Sequence, residues 1–217
     1  MEKESYINGW AGMTKVGVAQ GWKKNVILPY MDTSILDKAI VFAVNAHSGA
    51  ERKGKGFPYI VHPMEAVSIA ATMTNDQELL AAAALHDTVE DTDVKYSDIR
   101  KEFGERVAQL VETESDIVVN GKTEEESWQL RKSIAIDQLT TASRDAKIVA
   151  LSDKLSNARA IYRDCRACGD EVWKLFHVKS KKKHEWHYRG LVKALSELEG
   201  TLAFEEFAET VDKIFKK

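Results

Sequence analysis

The chain is 217 residues long, with 31 Lys and Arg against 34 Asp and Glu, a formal net charge of −3, 44% hydrophobic and 30% charged residues. That length buries a core without disulfides or a structural metal, and the balance of apolar and charged residues excludes a disordered chain. The near-neutral charge leaves no footprint for nucleic acid, and no apolar run approaches the roughly 18 residues of a membrane span.

Met1-Glu2-Lys3-Glu4 lacks the layout of a secretory signal, and two cysteines, Cys165 and Cys168, make no disulfide scaffold. The expectation is therefore a soluble, cytoplasmic protein in a reducing compartment. Residues 1–30 hold Trp10, Trp22, four glycines and the turn-prone Asn8-Gly9 pair. They read as an N-terminal extension compatible with a short hairpin. Met31 before Asp32-Thr33-Ser34 resembles a natural start, so the main domain is set at 31–217.

The prolines fall at 29, 58 and 63, and more than 150 residues follow with none. Nothing there forbids helix, so the predicted fold is all-α, a single bundle of eight to ten helices. Ser34 can cap the first, whose apolar positions Ile35, Ala39, Phe42, Ala43 and Ala46 keep the helical spacing. Gly49 to Tyr59 is a glycine-rich basic loop. Pro63 suits the first turn of a helix running to about Thr74. Asp76 caps another over Glu78 to His86, where Ala81–Ala84 invites close packing. Ser97 starts a short helix ending at Phe103-Gly104, and Glu105 to Val118 forms the next before a break at Asn120-Gly121. Further helices are expected at about 123–142, 145–163, 184–199 and 204–216.

The residues that suggest chemistry are His62-Pro63, the doublet His86-Asp87, the acidic pair Glu90-Asp91, and Asp153. Two imidazoles and two carboxylates make a mixed nitrogen and oxygen set suited to Mn²⁺, Fe²⁺, Mg²⁺ or Zn²⁺. A lone His at a helix start is commonly a capping residue and a lone Asp commonly a solvated charge. His86-Asp87, however, follows an Ala/Leu-rich helix, where an unpartnered carboxylate is costly to bury.

His62-Pro63, then Leu85-His86-Asp87-Thr88-Val89-Glu90-Asp91-Thr92, then Ser152-Asp153-Lys154-Leu155-Ser156-Asn157 resemble an HD-superfamily metal phosphohydrolase. With Arg52-Lys53 and Pro58-Tyr59-Ile60-Val61-His62-Pro63 upstream, the pattern is similar to the hydrolase domain of the RelA/SpoT enzymes over about residues 34–200. The chain has no stretch for a synthetase, TGS or ACT domain, and so resembles a stand-alone small alarmone hydrolase.

The resemblance implies that His62, His86, Asp87 and Asp153 hold one metal ion, usually Mn²⁺. It also implies hydrolysis of ppGpp or pppGpp, alarmones of the stringent response, to GDP or GTP plus pyrophosphate. Two-metal relatives need further histidines between the doublet and the last aspartate, and residues 88–176 contain none. The resemblance further implies that Glu90 and Asp91 position the attacking water, whose pKa the ion lowers from about 16 towards neutrality. Arg52, Lys53 and Lys55 are expected to meet nucleotide phosphates, with the guanidinium also able to stack on a base. Asn157, four residues after Asp153 on the same face, is expected to hydrogen-bond the nucleotide. The family usually has Ala-Asp-Arg where this chain has Ser152-Asp153-Lys154, which keeps the ligand and the charge and alters finer substrate contacts.

Other substrates stay open, NADPH among them, as does an inactive nucleotide-binding module. No nucleic-acid or membrane partner is expected, and a homo-oligomer is left open. His47 reads as structural. Cys165-Arg166-Ala167-Cys168 reads as helix-end thiols, because a single CxxC is a weak metal signal. Lys179 to Arg189 reads as a solvated helix start, with Trp186 and Tyr188 as core candidates.

Overall fold

The structure, a computed structural model, describes residues 31–114, 121 and 123–216. The expected extension over 1–30, the end of the helix expected to reach 118, and Asn120 lie outside the described residues. Among those residues there are ten α-helices and no strand. The nearest approach to sheet is one antiparallel bridge between Glu51 and Pro58, closing the basic loop.

The central element is α3 (Gln77–Leu85), in which every residue from Leu79 to Leu85 is buried. Asp76 starts it as expected, its carboxylate accepting from the backbone of Glu78 at 3.0 Å and Leu79 at 3.4 Å. Four successive alanines cost little helical propensity and present a low surface. That surface lets α1 (Ser34–Ala46), α2 (Val61–Ala70), α6 (Glu105–Glu112) and α8 (Arg144–Cys168) pack around it. Ala39 and Ala43 of α1 are fully buried, completing an interface of small side chains. The leucines at its two ends, Leu79 and Leu85, each contribute roughly 1.5–3 kcal/mol by leaving water.

Several boundaries differ from the sequence expectation, each for a local reason. Thr33, not Ser34, occupies the cap of α1, and its hydroxyl donates to Asp37. Helix α2 starts at Val61 with Pro63 in its first turn, where a missing N–H costs nothing. It ends at Ala70 rather than near Thr74. Thr72 donates its hydroxyl back to the Ile69 carbonyl at 2.7 Å, favouring a turn over helix continuation.

A short helix, α4 (Thr88–Asp91), follows the His-Asp doublet directly, and α5 (Tyr96–Phe103) meets α6 at Gly104, whose φ of 88° suits glycine. Helix α7 (Glu124–Thr141) starts at the capping box of Thr123 and Glu126. Helix α8 runs five residues past its expected end, since no breaker intervenes before Gly169 at φ 61°. Cys165 and Cys168 therefore sit on its last turn as free thiols. After a 3₁₀ segment over Gly169–Leu175, α9 (Lys181–Ala194) begins earlier than expected because Ser180 caps it. The chain closes with α10 (Leu202–Phe215), capped by Thr201.

Helix α8 is the spine of the bundle, packed by α2, α3 and α10. Its run from Ala146 to Asp153, in the N-terminal half, is buried throughout, polar residues included. Helices α7 and α9 pair beside it, and Gly190 is what allows their approach: a Cβ there would stand 2.6 Å from Ile136 Cδ1. Tyr188 is core, in ring contact with Phe207 and Phe215, whereas Trp186 remains 40% exposed. No helix among the described residues is long and apolar enough to cross a membrane.

Candidate metal centre

Four side chains from three parts of the bundle converge. His62 is the second residue of α2, His86 follows the last residue of α3, Asp87 precedes α4, and Asp153 lies midway along α8. The two Nε2 atoms are 3.2 Å apart. His62 Nε2 stands 3.3 Å from Asp87 Oδ2 and 3.0 Å from Asp153 Oδ1, and His86 Nε2 stands 3.1 and 3.5 Å from the same two oxygens. With metal–donor bonds of about 2.1 Å, neighbouring donors stand about 3.0–3.4 Å apart. The spacing therefore suits one ion. His62, His86 and Asp87 form a group able to hold one, with their donor atoms all within 4.8 Å of one another.

The donor chemistry fits a cation too. His86 Nδ1 lies 2.9 Å from the Ala83 carbonyl, which can only accept, so Nδ1 carries the hydrogen. Nε2 of the neutral ring then turns a lone pair towards two carboxylates and a second imidazole. Without a positive charge among them, these atoms repel. The electrostatics agree in direction. Burial opposes charge on His86, yet Asp87 and Asp153 overcome it and raise its pKa well above the ordinary imidazole range. Burial likewise opposes charge on Asp87 and Asp153, but His86 beside the first and Lys154 beside the second, with both imidazoles close by, hold both carboxyls well below the usual range. Positive charge is stabilised at this point whatever carries it.

Neighbouring residues hold the carboxylates in place. Tyr59 donates its hydroxyl to Asp87 Oδ2 at 2.6 Å. Burial, then Asp87 and Asp91, push the phenol pKa upward, so it remains a donor joining the metal centre to α4. Asp153 Oδ1 accepts from Asn157 Nδ2 and Oδ2 from Lys154, each at 2.5 Å. Lys154 also reaches Glu114 at 3.3 Å, and Asp153 and Glu114 together overcome burial to keep its ammonium charged. Lys154 and Asn157 line a cavity of about 720 Å³ whose other walls include Trp128, Lys132, Leu139 and Tyr188. One cation and one amide that hold Asp153 thus also form part of the wall of a part-apolar cavity.

The expected substrate contacts separate. Arg52 donates to Asn157 Oδ1 at 2.5 Å and lies 5.0 Å above the Tyr59 ring. Lys55 instead pairs with Asp164 further along α8, and Lys53 stays exposed on the loop. Glu90 and Asp91 are exposed on α4, one turn beyond the ligand doublet, and border a second concavity with Ser48, Gly49 and Asp93. His47 is buried and stacks on Tyr59 at 4.8 Å. Sequence reasoning gave no role to Tyr59, Glu114, Glu65 or Ser156, and to Lys154 only that of keeping a positive charge beside Asp153. Tyr59 lies three residues before His62, and Glu65 three after it, the spacing that brings residues together on a helical turn.

An all-helical bundle that gathers two imidazoles and two carboxylates around one point carries a candidate site for a divalent ion. Residues 39–178 match the HD domain family, and the chain belongs to that family. It is 32% identical over 186 residues to the human guanosine-3′,5′-bis(diphosphate) 3′-pyrophosphohydrolase MESH1, spanning 83% of this chain and 92% of the human one. A guanosine-3′,5′-bis(diphosphate) 3′-pyrophosphohydrolase of Aquifex aeolicus is 36% identical over 127 residues, but this chain spans only 18% of its length. Among solved structures, lmo0812 from Listeria monocytogenes aligns with a TM-score of 0.64 at 29% identity, covering 77% of this chain and all of that one. A metazoan ortholog of SpoT described as hydrolysing ppGpp shares the fold, with a TM-score of 0.63 at 24% identity over 85% of this chain and 97% of its own.

Proposed function

We propose that the chain hydrolyses guanosine 3′,5′-bis(diphosphate), and the corresponding pentaphosphate, to GDP or GTP and pyrophosphate. The observation that carries this reading is the convergence of His62, His86, Asp87 and Asp153, with Lys154 and Asn157 joining Asp153 to the wall of a cavity of about 720 Å³. Similarity over nearly the whole of a human protein named for that reaction supports the substrate.

A divalent ion held there, in this reading Mn²⁺ bound by the four residues, supplies a Lewis acid that lowers the pKa of a water from about 16 towards neutrality. Glu90 and Asp91, one turn beyond the ligand doublet, would orient a water held there, and one of the two carboxylates would take its proton. Asp91 lies close enough to Tyr59, which holds Asp87, to help push the phenol pKa upward. The cavity takes the nucleoside against Tyr188 and Trp128, while Arg52, bonded to Asn157 of the cavity wall, turns its planar fork towards phosphate oxygens. Asn157, already bonded to Arg52 and Asp153, holds the ribose side of the substrate close to the metal.

The deciding experiment is product analysis with Mn²⁺-loaded protein given ppGpp and, separately, NADPH. Equal amounts of GDP and intact pyrophosphate are expected. Orthophosphate in place of pyrophosphate refutes the cleavage site, and turnover of NADPH without ppGpp refutes the substrate.

A further inference from the structure

The two ligand histidines are oriented by different devices. His86 uses a backbone carbonyl, whereas His62 uses a chain of side chains. His62 Nδ1 lies 2.8 Å from Ser156 Oγ, and both residues are buried. Ser156 Oγ lies 2.7 Å from Glu65 Oε2. A carboxylate only accepts, so the single hydroxyl hydrogen of Ser156 is committed to Glu65. The hydroxyl can then meet His62 only through a lone pair, which requires the hydrogen on Nδ1. The remaining lone pair of the ring falls on Nε2, the atom that faces Asp87, Asp153 and His86.

Glu65 is itself fixed. Arg159 Nη1 donates to Glu65 Oε1 at 3.2 Å, while its Nε and Nη2 clasp Glu206 of α10 at 2.7 and 2.6 Å. The arrangement follows from helix geometry. His62 and Glu65 are three apart on α2, as are Asp153, Ser156 and Arg159 on α8, so two facing helices present matched rungs. One rung bears ligands, the next bears the hydroxyl and carboxylate, and the last bears the guanidinium.

We propose that Ser156 and Glu65 are positioning residues that set the tautomer of His62 and so tune metal affinity, with Arg159 anchoring the carboxylate. This rests on the metal-binding reading above but not on the identity of the nucleotide. Outer partners of ligating histidines are typically worth about 10–100-fold in metal affinity.

The test is a Mn²⁺ titration of chelator-stripped protein, reading free Mn²⁺ by its electron paramagnetic resonance signal, so that no substrate is involved. Ser156→Ala is expected to weaken binding by about 10–100-fold, and Ser156→Thr, which restores a hydroxyl, to return it close to wild type. Glu65→Ala is expected to weaken binding in the same direction with Ser156 intact, and Glu65→Gln, which keeps a carbonyl acceptor, by less. Circular dichroism of the stripped proteins checks that each variant is folded. If Ser156→Ala misfolds, the two Glu65 variants decide alone.

Unchanged affinity in folded Ser156→Ala, or a Thr variant as weak as the Ala variant, overturns the proposal. Equal weakening by Glu65→Gln and Glu65→Ala overturns the part assigned to the carboxylate's acceptor oxygen. A wild-type protein that binds no Mn²⁺ removes the metal reading itself, whereas failure of ppGpp hydrolysis with these affinities intact touches only the proposed substrate.

Discussion

The donor cluster makes a quantitative demand on thermal stability. Its nitrogen and oxygen atoms are already gathered at 3.0–3.5 Å in the folded chain by α2, α8 and the corner between α3 and α4. In the unfolded chain these residues are scattered, so ion binding stabilises the folded state almost exclusively. At a free ion concentration about one hundred times Kd the gain is about 2.7 kcal/mol. For a chain of 150–250 residues each kcal/mol moves Tm by about 2–4 °C, so the expected rise is about 5–11 °C. Differential scanning fluorimetry of stripped protein, with and without Mn²⁺, reads it directly. Asp87→Ala removes a carboxylate that faces both imidazoles, and the Mn²⁺-induced rise should vanish while the helical circular dichroism persists. Asp93→Asn, an exposed acidic change outside the cluster, should keep the full rise. A wild-type Tm indifferent to Mn²⁺, or a full rise in Asp87→Ala, would refute the reasoning.

Three other perturbations separate the remaining roles. Glu90→Gln should keep metal affinity and cut turnover by about 10²-fold or more, as expected for a group that moves a proton; loss of metal instead would place Glu90 among the ligands. Arg52→Ala removes a positive charge near the centre and the bond to Asn157, so it should raise KM before it lowers kcat, and should flatten the rise of KM with salt expected for wild type. An unchanged KM would show that Arg52 serves only the loop. Arg106 clasps Asp76, Glu78 and Asp145 and, chiefly by hydrogen bonding, depresses the Asp76 pKa. That stabilisation is present above the unfolded carboxylate value of about 4 and is lost as pH falls through the folded one. Arg106→Ala should therefore cost stability at pH 7 and converge on wild type on acidification, as read by urea denaturation; a pH-independent gap would contradict it.

The helical architecture was legible because its signals are local. Proline stops at residue 63, Asp76 precedes an apolar run, and Gly104 separates two amphipathic stretches. Boundaries went astray where a neighbour decided the outcome. Thr72 turned the chain early through its hydroxyl, and α8 continued until Gly169 because nothing stopped it. Within the site, the ligand residues stood out because a His-Asp doublet after a buried alanine run has few other uses. The supporting residues did not stand out. Ser156 and Glu65 are ordinary helical residues 91 apart, and only the packing of α2 on α8 joins them. The basic loop divided for a similar reason. Lys55 and Arg52 are three residues apart in sequence, but Asp164 and Asn157 are seven apart on α8, so the two cations are drawn to different turns.

Asp153 is the member of the donor cluster whose partners, Lys154 and Asn157, line the cavity. Its Oδ1 faces His62 while accepting from Asn157, and its Oδ2 is held by Lys154. Both holders also line the cavity. A ligand that pulls on Lys154 or Asn157 therefore acts on the carboxylate without touching it, and the Arg52–Asn157 bond extends that linkage to the basic loop. The lysine at 154 is consistent with this arrangement. Its compact ammonium sits between Asp153 and the buried Glu114, whereas a guanidinium, the family's usual group, would bring a wider planar fork to the same place. The change keeps the charge at the junction and redraws the cavity wall beside it, so its consequence belongs with the choice of substrate contacts rather than with the capacity to hold the ion.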